Sequence, residues 1–465
     1  MPPAATVGTS TSEFCRRLVT ASATPLPPRV ARAARRSLFN VLGTAIGAAR
    51  TAAVDVLLAT AREQGGTGDV DPENNVTVAG RDETVDAYWG ALLAGTAAHL
   101  DDFDDTHLAT VIHPGAAVLG TLLALVPELD VDGERYLTAF ALGCESQLRI
   151  GNAVSPSHYD RGWHITGTCG VFGAAVSASV LLGLSAAQLE QALAIASTMV
   201  LGHREGFGSM TKPFHPGKAA TNGVLAAKLA GVGMTGIADP LGDGGVLPVF
   251  ADAVEHCELA GSWERDWEIE YNAFKPYPCG IVAHPAIDAA CAASAELDDP
   301  AAITSVELTC HPLVPELMGR RQPQDGLQAR FSAYHAAAVG LLDGHVGLAQ
   351  FGDDRAVETD VERLRELITL RPTAGCARDE ATIRVDRADR DPICVHVPHA
   401  RGSLDRPLTD EELFDKVDRL VEPVLGTGAA RRLAAAVDAL AGAAGLDAVI
   451  AAIRPSGISE GENKE

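Results

Sequence analysis

ITGTCGVFGAAVSASVLLGLSAAQL, residues 165–189, contains no charged side chain. Its length raises a transmembrane reading. Gly167, Gly170, Gly173, Ser177, Ser179 and Gly183 run through it, however, a polar helix follows, and no second span accompanies it. It therefore predicts a helix buried on all sides by other helices. Helical spacing of apolar residues recurs on its N-terminal side at 28–50, 84–98, 115–128 and 132–150. On its C-terminal side Ser185-x-x-Gln188 resembles a capping box for a helix running to about Thr198, and another helix follows Pro216. Almost nothing before residue 265 alternates with period two, which predicts an all-α unit.

The pattern changes after Trp263–Trp267. Ile303–Cys310 has the character of a strand, and Thr382–Asp386 with Ile393–Val397 resemble the arms of a hairpin around Asp389–Pro392. Helices are expected between them at 285–297, 328–342 and 359–368. Thr409-x-x-Glu412 then opens a further helix, and 429–453 is helical again. The expected fold class is mainly α: a large all-α helical domain (1–265, completed by 405–455) and a smaller α+β lid domain (266–404), with 456–465 as a flexible tail.

Composition narrows the function. The chain has 465 residues and a net charge of −24, so nucleic acid and anionic membrane are not expected partners, because phosphate binding needs a basic footprint. Nine scattered cysteines without a CxxC pair, and no readable signal peptide, point to reduced thiols and a cytoplasmic location. Aromatic residues make up 5% while Ala and Gly abound, which suits helices packed closely through small side chains.

Four segments combine titratable residues with helix-boundary signals. The first runs from His99 through Asp101, Asp102, Asp104, Asp105 and Thr106 to His107 and His113-Pro114. As sequence it suits a solvated helix-ending loop, a catalytic site, or a metal site built on Asp102, Asp105 and His107. The second, Tyr159 to Thr168, puts His164 and Thr166 near the start of the uncharged helix, where free N–H groups and the macrodipole favour an anion. The third, Thr211-Lys-Pro-Phe-His-Pro-Gly217, brackets His215 with prolines beside Lys212 and suits carboxylate recognition or acid–base work. The fourth comprises Lys275-Pro-Tyr-Pro and His284-Pro-Ala-Ile-Asp288, with Tyr334 further on, where the large unit gives way to the small one. Residues 149–218 hold five Lys or Arg against three acids, a locally cationic stretch within an acidic chain.

Taken in order, these strings resemble the MmgE/PrpD family, whose members include 2-methylcitrate dehydratases, cis-aconitate decarboxylases and an iminodisuccinate epimerase. The resemblance runs from about residue 30 to about 455. It rests on Asp102-Phe-Asp-Asp-Thr106, Gly162-Trp-His164, Thr211–Gly217, Lys275-Pro-Tyr-Pro, His284–Asp288 and Phe331-Ser-x-Tyr334. It implies a homodimer and catalysis with no metal or organic cofactor. It places catalytic roles on Asp102, Thr106, His113, His164, Lys212, His284 and Tyr334, with Thr166, His215 and Lys275 as substrate contacts. One string departs: the 2-methylcitrate dehydratases resemble one another in Trp-Gly-His-Pro-Ser-Asp, whereas this chain has Val111-Ile-His-Pro-Gly-Ala116. The implied function is a lyase, a dehydratase or decarboxylase acting next to a carboxylate of a small di- or tricarboxylic acid. The alternative is an isomerase or epimerase of an amino- or imino-dicarboxylate that uses the same deprotonation.

Overall fold

The uncharged stretch forms the helix Ile165–Leu182, ended by Gly183 in the left-handed conformation. By length and composition this helix could cross a membrane, yet 89% of it is buried inside the protein. The computed structural model describes residues 10–67, 75–260, 263, 265–388, 390–441 and 445–455. Asp389, the first nine residues of the chain and the tail 456–465 lie outside the described residues.

Around the central helix pack Thr211–Gly231, Gly133–Val154, Pro114–Leu125 and Ala186–Ala196. The Ser185/Gln188 capping box is formed, each side chain reaching the other's backbone. Small residues set the spacing, most clearly at Gly217. A Cβ there would overlap the Leu92 carbonyl and the Thr96 hydroxyl of the helix Ala87–His99. A backbone carbonyl cannot move aside as a flexible side chain would. Gly217→Ala is therefore expected to lower stability by about 1–3 kcal/mol despite its better helix propensity, seen as an earlier denaturation midpoint.

One apolar cluster joins these helices to the C-terminal helices Asp410–Leu425, Ala429–Asp438 and Gly445–Ala452. A second cluster draws all its buried members from Tyr277 to Val397. It lies between the helices His284–Ser294 and Ala333–Asp343 and a four-stranded sheet. Its strand order is Ile368–Pro372, Ile303–Cys310, Ala381–Arg387, Arg390–Val397, the first pair parallel and the others antiparallel. The mainly-α fold with a small α+β part is as the patterning predicts.

Several boundaries differ from expectation. The helix expected after Pro216 begins at Thr211 and contains both prolines. Pro213 falls where N–H groups are free anyway, and Pro216 only forgoes a bond to the Lys212 carbonyl. The helix expected over 328–342 is two, Gly326–Ala329 and Ala333–Asp343, the second capped by Ser332. Strand Ile368–Pro372 is a sheet edge with Ile368 alone buried, so it left too little alternation to detect.

Candidate active site

Three helices begin at one place. His113 is the N-cap of Pro114–Leu125, His164 is the N-cap of Ile165–Leu182, and Lys212 is the second residue of Thr211–Gly231. Their free N–H groups and dipoles give the spot a positive potential. Facing them is the turn after helix Ala87–His99, where Asp102 adopts a φ of 51°. That left-handed conformation is uncommon away from glycine, Asn and Asp. Antiparallel pairing of Thr106–His107 with Asn272–Ala273 brings Lys275 to the same turn.

All four carboxylates of the turn are buried, and each has its own partner. Asp101 accepts from Arg330 at 2.7 Å. Asp102 lies 2.6 Å from the Lys212 ammonium and 3.1 Å from that of Lys275, which also donates to the Asp102 carbonyl at 2.9 Å. Asp104 accepts from His99 at 2.8 Å and from His113 at 3.0 Å. Asp105 accepts from Asn272 at 2.9 Å and from the Ser37 hydroxyl. A solvated loop is excluded.

These contacts fix proton positions. An ammonium can only donate, so His99 accepts from Lys212 through Nε2 at 2.9 Å and carries its proton on Nδ1, toward Asp104. The His113 proton is likewise on Nδ1, facing the Asp104 carboxylate. This leaves the His113 Nε2 lone pair at the cavity, 3.6 Å from Asp102 Oδ1. Burial pushes His113 down to about 3 against the pull of Asp104, so the ring is neutral at physiological pH. Burial also lowers His164 well below its ordinary value, and the nearby Lys212 and His99 lower it further. For Asp102, burial alone would raise the carboxyl; Lys212 and Lys275 overcome it and hold the group well below the usual carboxylate range.

A narrow cavity of about 40 Å3 lies at this point. Asp102, Thr106, His113, His164, Lys212 and Lys275 line its polar side. The second apolar unit closes it with Ile281, Val282, Leu317, Met318 and Phe331. The Lys212 ammonium sits 5.3 Å from the ring centres of both Phe207 and Phe331, a neighbouring pair of rings that covers it from one side.

Four of the residues singled out from sequence do not line the cavity. Thr166 is fully buried, and its hydroxyl accepts from the His113 backbone N–H at 3.2 Å. His215 lies behind His164, Nδ1 to Nδ1 at 2.9 Å. His284 lies behind Lys275: its Nε2 and the lysine share the Cys279 carbonyl at 3.3 and 3.1 Å. Tyr334 packs beneath the Arg321 guanidinium, 4.8 Å from its ring centre. His99 and Asp104 lie in the first segment and Phe331 in the last string without a role assigned from sequence, and Phe207 lies in none; all four orient or enclose the polar groups.

The metal set considered from sequence does not assemble. Asp105 is tied to Ser37 and Asn272, and His107 to Thr110 and Glu268. A different group does converge: His99, Asp102, Asp104 and His113 bring potential ligand atoms within 4.8 Å of one another. Lys212 already holds the Asp102 carboxylate and the His99 lone pair that a cation would need, and a second ammonium, Lys275, lies beside it. The donor set fits a lysine better than a divalent ion.

Such a structure defines a class: an α-helical body and a small α+β cover enclosing a buried Lys–Asp–His site at converging helix N-termini. The MmgE/PrpD N-terminal domain matches residues 12–254 and the MmgE/PrpD C-terminal domain residues 277–441, and the chain belongs to the MmgE/PrpD family. It is 31% identical to a cis-aconitate decarboxylase of Mus musculus over 312 residues, 63% of each chain. It is also 31% identical to that of Homo sapiens over 296 residues, 61% of each. With a cis-aconitate decarboxylase-like protein of Aspergillus oryzae it shares 26% identity over 420 residues, 83% of this chain and 86% of that one. The chain thus spans about three fifths of the length of the mammalian relatives.

Proposed function

We propose that this protein is a lyase acting at the carbon next to a carboxylate of a small di- or tricarboxylic acid, with cis-aconitate the first substrate to test. The observation that carries this reading is the convergence of three helix N-termini and two buried ammonium groups on one enclosed cavity. That arrangement binds a carboxylate and stabilises the negative charge that develops beside it when CO2 or a proton leaves. The similarity to cis-aconitate decarboxylases favours decarboxylation.

The side chains divide the work. Lys212, fixed between Asp102 and His99, faces the charge developing on the enediolate. His113, neutral and with its Nε2 lone pair at the cavity, accepts a proton, and Asp102 at 3.6 Å steadies the imidazolium that results. His164 is the opposing ring and returns a proton to carbon or to a departing hydroxyl. A dehydration uses both imidazoles; a decarboxylation needs only the return. Neither route calls on a metal or an organic cofactor.

The same reading includes a homodimer. Leu225, Val232, Met234 and Ile237 leave apolar surface exposed along one segment, which a second copy would cover.

NMR of the purified protein in D2O with cis-aconitate, citrate, 2-methylcitrate and iminodisuccinate tests the proposal, and light scattering tests the dimer. Loss of CO2 with deuterium incorporated into the product at carbon, or loss of water without deuterium incorporation, is the expected result. Deuterium exchange or inversion without loss would transfer the protein to the isomerase or epimerase class.

A further inference from the structure

His215 does not reach the cavity, but it is the hydrogen-bond partner of an imidazole that does. His164 Nδ1 and His215 Nδ1 are 2.9 Å apart, and the rings are tilted by 54°. Two imidazole nitrogens at that distance must share a single proton: one carries it and the other accepts. If His215 carries it, His164 holds its own proton on Nε2 and presents a donor to the substrate. If His164 carries it, Nε2 presents a lone pair. The tautomer of His215 therefore decides whether His164 is an acid or a base.

The surroundings are arranged to keep this contact. His164 is held as a helix N-cap, its backbone N–H donating to the Gly202 carbonyl at 3.1 Å. Gly202 has a φ of 108°, and a Cβ on it would lie 3.1 Å from His215 Cγ and Nδ1. A Cβ on Gly167 would lie 3.0 Å from the His215 Cβ. Side chains at either position would push the His215 ring off its partner. Beyond His215, 6.1 Å between ring centres, lies His203, which is exposed. His99 stacks on the other side of His164 at 5.5 Å. His215 thus stands between the cavity imidazole and the surface.

From this geometry we infer that His215 is a positioning residue that sets the His164 tautomer and resupplies its proton from solvent. The inference rests on the lyase reading above. In the decarboxylation, the bond to the leaving carboxylate breaks and its electron pair remains on the adjacent carbon. That carbon takes the proton from His164 Nε2. His164 Nδ1 then takes the proton that His215 Nδ1 was sharing, and His215 takes one from solvent water or buffer acid at Nε2. Both rings are then neutral but in the opposite tautomers. After product release a water in the cavity protonates His164 Nε2, the shared proton returns to His215 Nδ1 and His215 Nε2 releases its own. One net proton thus enters for each CO2 released. Burial, with His99 and His203 adding to it, pushes His215 down to about 4, so the ring passes a proton on rather than storing it.

The test pairs kinetics with spectroscopy. His215→Phe and His215→Gln are expected to lower kcat about 10²-fold, the scale of a lost acid–base step, with KM changed less than about threefold. The solvent deuterium isotope effect on kcat should rise as proton return becomes limiting. A residue with only a packing role would not alter that isotope effect. Free imidazole added to His215→Ala should restore part of kcat. A kcat within twofold of wild type with an unchanged isotope effect would overturn the inference. Imidazole 15N shifts of the unmodified protein provide a readout that needs neither a folded variant nor a substrate. Complementary tautomers at positions 164 and 215 support the pair, and both rings protonated on Nε2 would overturn it. If no acid in the panel is turned over, the lyase reading fails while the 15N result still decides the His164–His215 pair.

Discussion

Replacing Lys212 by alanine is expected to lower kcat by about 10²–10³-fold, the usual cost of removing a preorganised group that meets developing charge. The ammonium makes two contacts, Asp102 Oδ1 at 2.6 Å and His99 Nε2 at 2.9 Å. Without it the His99 lone pair is left buried and unpaired. The chain of proton positions that runs through Asp104 to His113 then loses its anchor. Lys212→Arg should not rescue activity, because a planar guanidinium is bulkier than the ammonium already held 2.6 Å from Asp102 and 2.9 Å from His99. Lys218, on the same helix, is the control. It donates to Asn222 at 2.9 Å and lies over Tyr88, away from the cavity, so Lys218→Ala should leave kcat within about twofold. Steady-state kinetics of the three variants, with circular dichroism to establish folding, checks the prediction. Equal losses in Lys212→Ala and Lys218→Ala would remove Lys212 from its assigned role.

The helical body was legible because its cues are local. An uncharged 165–189 stretch and two capping boxes need no tertiary information, and both boxes, at Ser185 and Thr409, are formed. The site was legible in part, and the reason lies in what each string specifies. Thr211–Gly217 sets a lysine beside a proline-bracketed histidine, which suits an anion, although the helix that places Lys212 in its first turn was expected only after Pro216. Phe331-Ser-x-Tyr334 shows the reverse. The helix begins only at Ala333, so Phe331 and Tyr334 do not share a helical face; the phenylalanine reaches the cavity and the tyrosine does not. His99 and Asp104 stand in the first segment but had no role assigned there, because their work is to orient other side chains. That depends on which atoms meet across 113 positions of chain between His99 and Lys212, and spacing in sequence does not encode it. The pairing of Asp102 with Lys212 and Lys275 is equally invisible beforehand, since both lysines come from distant segments.

Asp102→Asn should cost more in stability than any other conservative change at the site, about 3–5 kcal/mol, because it leaves two buried ammonium groups facing each other without a counter-charge. Lys212 and Lys275 are 4% and 1% exposed, so water cannot compensate. The variant keeps the shape of the side chain, so a loss of this size measures charge and not packing. Its acid sensitivity should change in a defined way. In the wild type, Asp102 and Asp104 have carboxyls held below their ordinary values, so both contribute stability at pH above the ordinary carboxylate range. That contribution falls away as pH drops below about 4, toward their folded values. The buried histidines act earlier and in the same direction. His113 and His284, pushed down by burial to about 3, take up protons in the unfolded chain below about 6.5 but not in the folded one. His158, His215 and His335, each near 4, add to this. Asp105 and Glu145, raised by burial to about 7, oppose it, since they bind protons in the folded state first, but the histidines outnumber them. Wild-type stability in urea should thus fall between pH 6.5 and 4 and fall again below 4. Asp102→Asn should retain the first decline and lose part of the second. If the two proteins show parallel pH curves, the carboxylate does not hold the charge balance that places the two lysines at the cavity.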